Sequence, residues 1–212
     1  MAKSEELYNA ILEGDAKRAH AATAEALAAG VVPMDLIAGS MVPAMDEVGR
    51  LFEAEEYFVP ELLLAGRAMK SALELLRPLL AAAGEKMATR VVIGTVKGDL
   101  HDIGKNIVGS MLEGSGFEVI DLGTDVSPEK FVAAVEERNP QVICMSALLT
   151  VTMPAMKTTI DALTNAGVRT RVKVLIGGAP VTSQYAKEIC ADGYSESASG
   201  AVGLVRGLIA NA

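Results

Sequence analysis

The chain has 212 residues, half of them hydrophobic, with no Trp, 4% aromatics and a positive mean hydropathy. Its 19 Lys and Arg against 27 Asp and Glu leave a formal charge of −8, which opposes non-specific attraction to nucleic acid or to an anionic membrane. A chain of this length and Ala/Leu/Val content buries a real core in one or two domains, and its partners are expected among proteins and small molecules. The opening residues carry no apolar signal core, and no run reaches the roughly 18 apolar residues of a membrane span, so a cytoplasmic location is expected. Cys144 lies in an apolar strand pattern and Cys190 near a helix end. Both are expected as core thiols rather than as a disulfide.

Before Gly84, the apolar residues Leu7, Ile11, Ala19, Ala22, Leu27, Ile37, Met41, Met45, Val48 and Phe52 recur at helix-face spacing. Breaks fall at Gly14, at 30–33 and around 57–60. The pattern predicts four helices. The last runs from about Pro60, a residue favoured at a first helical position, to about Ala83, with Pro78 as a kink or early end. A small helical bundle over 1–83 follows, then a linker at 84–89. His20, among Ala residues in the second helix, reads as packed or half-exposed.

From 90 to 212 the pattern alternates. Strands are predicted at 91–95, 118–121, 142–146, 172–176 and near Tyr194, and helices at 103–113, 128–137, 154–166, 183–191 and from about Gly200. Strands that alternate with helices in this way predict an open, doubly wound parallel α/β sheet. Its strands are buried on both faces, which explains continuous apolar runs such as 142–145. Ligands of such sheets bind beyond the carboxyl ends of the strands, at the topological switch point. The segments 99–104, 146–152, 177–180 and the stretch near Ala198 would gather there. The charged segments 130–138 and 169–173 read as solvated faces.

Each of these segments has a chemical rationale. A neutral imidazole nitrogen is a good ligand for a transition metal, and the other ring nitrogen needs an acceptor to fix its tautomer. His101 offers such a nitrogen, with Asp99 placed to be the acceptor. Gly98 and Gly104 let the backbone approach a large ligand, and Lys105 and Asn106 continue into the helix. Ser146 and Thr150 offer hydroxyl groups, and Gly177 and Gly178 remove side chains where a long polar group would pass. In isolation, a D-x-H-x-x-G run also describes a turn whose Asp caps a helix and whose His is solvated.

Taken together, 99–104, 146–148 and 177–178 resemble the DxHxxG, SxL and GG signature of cobalamin-binding domains. The whole chain resembles the cobalamin-binding region of methionine synthase. It is closer in size to the small corrinoid proteins of methanol, methylamine and related methyltransferase systems. The resemblance implies a four-helix cap bundle followed by a five-stranded Rossmann-like domain that holds cobalamin or a related corrinoid. It also implies that the lower nucleotide tail leaves cobalt and enters a slot beside the sheet, His101 taking its place as metal ligand. A relay would run from His101 to Asp99 and on to Thr152, where methionine synthase has a serine. Gly98, Asp99, Leu100, His101, Asp102, Ile103, Gly104, Ser146, Leu148, Thr150 and Ala198 would form the walls of the site, and Gly177 and Gly178 would line the tail. Phe52 and Val59, the latter a leucine in methionine synthase, would cap the methyl group.

The implied function is a carrier in one-carbon metabolism, without catalytic residues of its own, that cycles between Co(I) and methyl-Co(III). Its implied partners are a substrate-specific methyltransferase, an acceptor methyltransferase and a reductive-activation protein, with no nucleic acid and no membrane. Both methyltransferases need the same cobalt face, so the cap would move aside on the linker. Three other readings stand beside it. A cobalamin subunit of an adenosylcobalamin mutase needs a barrel from another chain. A cobalamin-sensing regulator needs a DNA-binding element, and no basic helix-turn-helix is evident. A flavodoxin-like signalling domain leaves His101 without a role. The donor is expected to be a simple methylated compound such as methanol, a methylamine, a betaine or a methoxylated aromatic.

Overall fold

A computed structural model describes residues 4–83 and 89–210, so all of the expected linker except Thr89 lies outside the described residues. The described chain forms two compact units: residues 4–83 with Ser110–Phe117, and Thr89–Gly109 with residues 118–210.

The first unit is helical: α1 (Glu5–Leu12), α2 (Ala16–Ala28), α3 (Pro33–Leu36), a π-helical turn (Ile37–Met41), α4 (Val42–Glu53) and α5 (Val59–Ala82). Ser4 Oγ accepts from the Leu7 amide, and the Asp15 carboxylate accepts from the amides of Lys17 and Arg18. Each such cap is worth about 1 kcal/mol. Between these helices Gly14 sits at φ +73, and a Cβ there would fall 2.6 Å from Leu64 Cβ. The α1–α2 turn therefore needs glycine both for its conformation and for its space. Leu7, Ile11, Leu36, Met41, Met45, Leu62, Met69 and Leu76 are fully buried and make the core.

Three expectations change here. Pro78 does not bring an early end to the last helix, because α5 continues through it to Ala82. The third predicted helix is helical throughout, but its hydrogen bonding changes to that of a π-helix over Ile37–Met41. His20 is exposed, because it lies outside the stripe of α2 formed by the buried Ala19, Ala22 and Thr23.

The second unit alternates β1 (Arg90–Thr95), α6 (Ile103–Gly114), β2 (Glu118–Asp121), α7 (Pro128–Arg138), β3 (Val142–Ser146), α8 (Pro154–Asn165), β4 (Lys173–Gly177), α9 (Ser183–Glu188), β5 (Gly193–Tyr194) and α10 (Ala198–Ala210). The strand order is β2-β1-β3-β4-β5, and every pairing is parallel. This is the doubly wound α/β sheet expected. Phe131, Ile143 and Met156 are among its largest fully buried side chains. In this order the chain leaves β1 for β2 on one side, while β3 and its successors build outward on the other. The switch point therefore lies between β1 and β3.

The C-terminal part of α6 groups with the helical unit, although the sequence boundary puts all of it with the sheet. The reason is close approach: a Cβ on Gly114 would lie 2.6 Å from Met45 Cε. Of the two thiols, Cys144 is buried as expected, and burial pushes it up to about 12. Cys190 is exposed, contrary to expectation. It takes the left-handed position just past α9, at φ +60, which turns it away from the core. Among the described residues no helix is long and apolar enough to cross a membrane.

Candidate functional site

The register pairs Thr95 with Ser146, so β1 and β3 end side by side at the switch point. Beyond β1 the chain turns at once: the Asp99 amide donates to the Val96 carbonyl at 3.1 Å, with Gly98 at φ +85 inside the turn. That positive φ is the geometry glycine adopts without strain. The turn directs the Asp99 side chain inward, where it is fully buried.

Each oxygen of this carboxylate has defined partners. Oδ1 accepts from the His101 amide at 3.0 Å and lies 2.7 Å from His101 Nδ1. Oδ2 accepts from the Leu148 amide at 2.8 Å, the Leu149 amide at 3.3 Å and Thr152 Oγ1 at 2.7 Å. Burial alone would push this carboxyl up. The Thr152 hydroxyl, the His101 and Leu148 amides and the imidazole outweigh that, and hold it well below the ordinary carboxylate range. Asp99 is therefore a buried, ionised acceptor that joins the loop after β1 to the loop after β3.

His101 is held from two directions. Its Nδ1 faces Asp99, and its carbonyl accepts from the Oγ1 of the fully buried Thr95 at 2.9 Å. With Nδ1–H donating to a carboxylate, the lone pair resides on Nε2. The side chain is 50% exposed, and among the described residues nothing bonds Nε2. Around it stand apolar side chains that the fold leaves in the open: Leu100 at 73%, Ile103 at 76% and Val151 at 80% exposure, with Leu148 and Leu149 partly so.

The remaining expected residues distribute as follows. Asp102 accepts from Asn106 through its carboxylate, within the first turn of α6, and Gly104 faces open space. Ser146 ends β3 and is half-buried, while Thr150 is exposed in the next loop. Gly177 ends β4, where a Cβ would meet the Ser195 carbonyl at 3.3 Å. At Gly178, φ is +126 and a Cβ would sit 1.9 Å from the Ala147 carbonyl oxygen, so no side chain fits. Ala198 opens α10 and is buried. Phe52 and Val59 belong to the helical unit, half-buried on either side of the α4–α5 turn.

Several participants were not anticipated. Thr95 and Leu149 act on the loop through a hydroxyl-to-carbonyl bond and a main-chain amide. Lys105 is buried rather than simply continuing the helix, and its ammonium pairs with Asp121 at the end of β2 and with Asn106 Oδ1 at 2.7 Å. A basic residue in the first turn of an amphipathic helix gives no sign in sequence that it faces inward.

This arrangement suits a large, largely apolar group that brings its own metal. Among the described residues no group of three or more His, Cys, Asp and Glu could hold a bare ion. One imidazole with an oriented lone pair suits a metal whose other positions are filled by a macrocycle. The comparisons with known proteins point the same way. A family model described as B12 binding domain matches residues 89–203, and a second of the same description matches 4–77. The chain belongs to this B12-binding family. It is 44% identical to trimethylamine corrinoid protein 2 of Methanosarcina mazei over 97% of each chain. It is also 44% identical to dimethylamine corrinoid protein 1 of Methanosarcina acetivorans over 84% of each. Among solved structures, a chain of the methanol:cobalamin methyltransferase complex of Methanosarcina barkeri superposes with a TM-score of 0.83 at 32% identity, covering 98% of this chain and 79% of that one. Matches of this extent, bundle included, favour a corrinoid protein over a mutase subunit or a sensing regulator.

Proposed function

We infer that this chain is the corrinoid-carrying protein of a methyltransferase system, moving a methyl group between a substrate-specific and an acceptor methyltransferase, and that His101 Nε2 would be the protein's ligand to its cobalt. The observation that carries the ligand assignment is the His101–Asp99 pair at the switch-point edge, with Nδ1 engaged, Nε2 free and apolar side chains standing in the open around it.

When bound, the corrinoid supplies a cobalt centre that takes up a methyl group and gives it up again. The chain supplies everything around it. Asp99 selects the tautomer and, as an anion, raises the basicity of the ring. Thr152 and the Leu148 and Leu149 amides keep that anion in place. Leu100, Ile103, Leu148, Leu149 and Val151 give apolar ground from which a macrocycle excludes water. Ser146, Thr150 and Ala198 would line the slot, and Gly177 and Gly178 would leave it free of side chains for the nucleotide tail. By the resemblance, Phe52 and Val59 would be the residues that shield the bound methyl group.

Activation of the donor falls to the partner methyltransferase, and a reductive-activation protein restores the carrier after oxidation. A cytoplasmic location goes with this reading. Relatives named for trimethylamine and dimethylamine share the same 44% identity with this chain. Overall identity therefore does not single out one donor, and a simple methylated compound such as methanol, a methylamine, a betaine or a methoxylated aromatic fits this reading.

The test is His101→Ala in protein reconstituted with cobalamin. The side chain is half-exposed, so the variant should fold, and its Co(II) EPR spectrum should lose the splitting from an axial nitrogen. An unchanged spectrum would overturn the ligand assignment.

A further inference from the structure

Asp99 is gripped through its side chain by the loop after β3, but the turn that presents it is gripped from the other side. The loop after β2 runs beside residues 95–99: the Thr95 amide donates to the Gly123 carbonyl at 3.0 Å, and the Val126 amide to the Thr95 carbonyl at 2.9 Å. Between those two contacts stands Asp125. Its Oδ1 accepts from the Gly98 amide at 2.8 Å, its Oδ2 from Lys97 Nζ at 2.9 Å, and its own amide donates to the Asp99 carbonyl at 2.9 Å.

These contacts require an unusual backbone. Asp125 lies at φ +52, a left-handed conformation that costs most side chains energy and that Asp tolerates better than most. The Lys97 pair is exposed on both sides and contributes little by itself. The bonds to the turn differ, because Gly98 has no side chain to anchor it and its conformation depends on where its amide points. One residue thus ties the main chain on both sides of the Gly98–Asp99 peptide.

We propose that Asp125 is a positioning residue for the metal-ligating imidazole: by fixing the Gly98 amide and the Asp99 carbonyl, it sets where the Asp99 carboxylate meets His101 Nδ1. The proposal rests on the reading of His101 as cobalt ligand. The mechanism is geometric. Release of the turn lets Asp99 tilt, and the Nδ1 contact at 2.7 Å lengthens toward a distance at which the tautomer is no longer held.

The chain has only two histidines, and His20 is exposed in the other unit, so ring nitrogens are readable in a long-range proton–nitrogen NMR spectrum without added corrinoid. Asp125→Gly keeps the left-handed backbone and removes the acceptor. Asp125→Asn keeps both. At a pH where the imidazole is neutral, wild type and Asp125→Asn should show one His101 tautomer with the proton on Nδ1, and Asp125→Gly a mixture. Cobalamin affinity should fall about tenfold in Asp125→Gly, the size of a lost hydrogen bond to a charged group. The nitrogen splitting in its Co(II) EPR spectrum should weaken in parallel. A merely structural role would lower the melting temperature and leave tautomer and splitting alone, and that result overturns the proposal.

Loss of the tautomer in Asp125→Asn would also overturn it, by transferring the effect to the Lys97 charge. Should Asp125→Gly not fold, Asp125→Ser, whose hydroxyl falls one bond short of the Gly98 amide, reads the same signals. His101→Ala run alongside separates the two levels. Splitting that survives there sinks the ligand reading, whereas splitting lost there but intact in Asp125→Gly sinks this proposal alone.

Discussion

The helical unit and the sheet unit bury polar groups on different terms. In the bundle, the buried Thr23 hydroxyl donates to the Ala19 carbonyl one turn back at 2.7 Å, and buried Ser40 accepts from the Ser4 amide at 2.8 Å. These are neutral groups with a single main-chain partner each. In the sheet unit, an ionised Asp99 and a buried Lys105 accompany buried Thr95, Thr152 and Thr159. A buried charge costs several kcal/mol unless hydrogen bonds replace the lost water. The protein meets that cost at the one edge where a free imidazole nitrogen is presented, and avoids it in the bundle. The buried charges are thus concentrated in one unit, and the other buries only neutral polar groups.

Asp99→Asn should have the largest effect. An amide nitrogen would face either the His101 or the Leu148 amide, donor against donor, at a cost of about 3 kcal/mol. That corresponds to about 6–12 °C in melting temperature at pH 7. The pH dependence has a definite sign. The folded-state carboxyl is held below its usual value, so the stability it contributes is present above about pH 4 and is lost as pH falls through the lower folded value. The gap between wild type and Asp99→Asn should therefore narrow in acid. Urea unfolding at several pH values measures it, and a constant gap would break the contrast between the units.

Phe52→Ala sharpens the contrast from the bundle side. Phe52 is half-buried, so the variant should lose about 1–2 kcal/mol, less than a full core truncation. If the bundle acts as cover, photolysis of bound methylcobalamin should be several-fold faster while the Co(II) EPR spectrum stays unchanged. An unaltered photolysis rate would remove Phe52 from the cap.

The smallest effects come as a matched pair. Thr152→Val removes a hydroxyl bonded to a buried anion and should cost about 1–2 kcal/mol. Thr23→Val removes one bonded to a helix carbonyl that already has an amide partner, and should stay within about 0.5 kcal/mol. Thermal melts of both decide the matter, and equal losses would mean that the units do not differ as described.

Much of this was readable from sequence. The first three strands were legible to within a residue: β1 and β3 because parallel strands buried on both faces appear as unbroken apolar runs, and the edge strand β2 from the alternation of strands with helices. The His101, Asp99 and Thr152 group was legible because its chemistry lies in side chains. The rest was hidden for physical reasons. Leu149 contributes an amide that any non-proline residue would supply. Asp125 acts from another loop through a left-handed backbone that leaves no periodic trace. Pro78 reads as a helix end, yet its ring and missing N–H are tolerated inside α5. Cys190 has the composition of a core thiol, and only its φ turns it out.

The partners that make buried Asp99 tolerable lie 49 to 53 residues further along the chain. During synthesis, β1 and α6 leave the ribosome well before the loop after β3 exists, and loop closure over that span must precede any benefit from the contacts. Until then the aspartate lacks the three contacts on its Oδ2 oxygen and keeps only the local ones to His101. The full set of contacts around Asp99 is accordingly a late product of folding, and a chain stalled before β3 would present the motif without the buried carboxylate that joins the two loops.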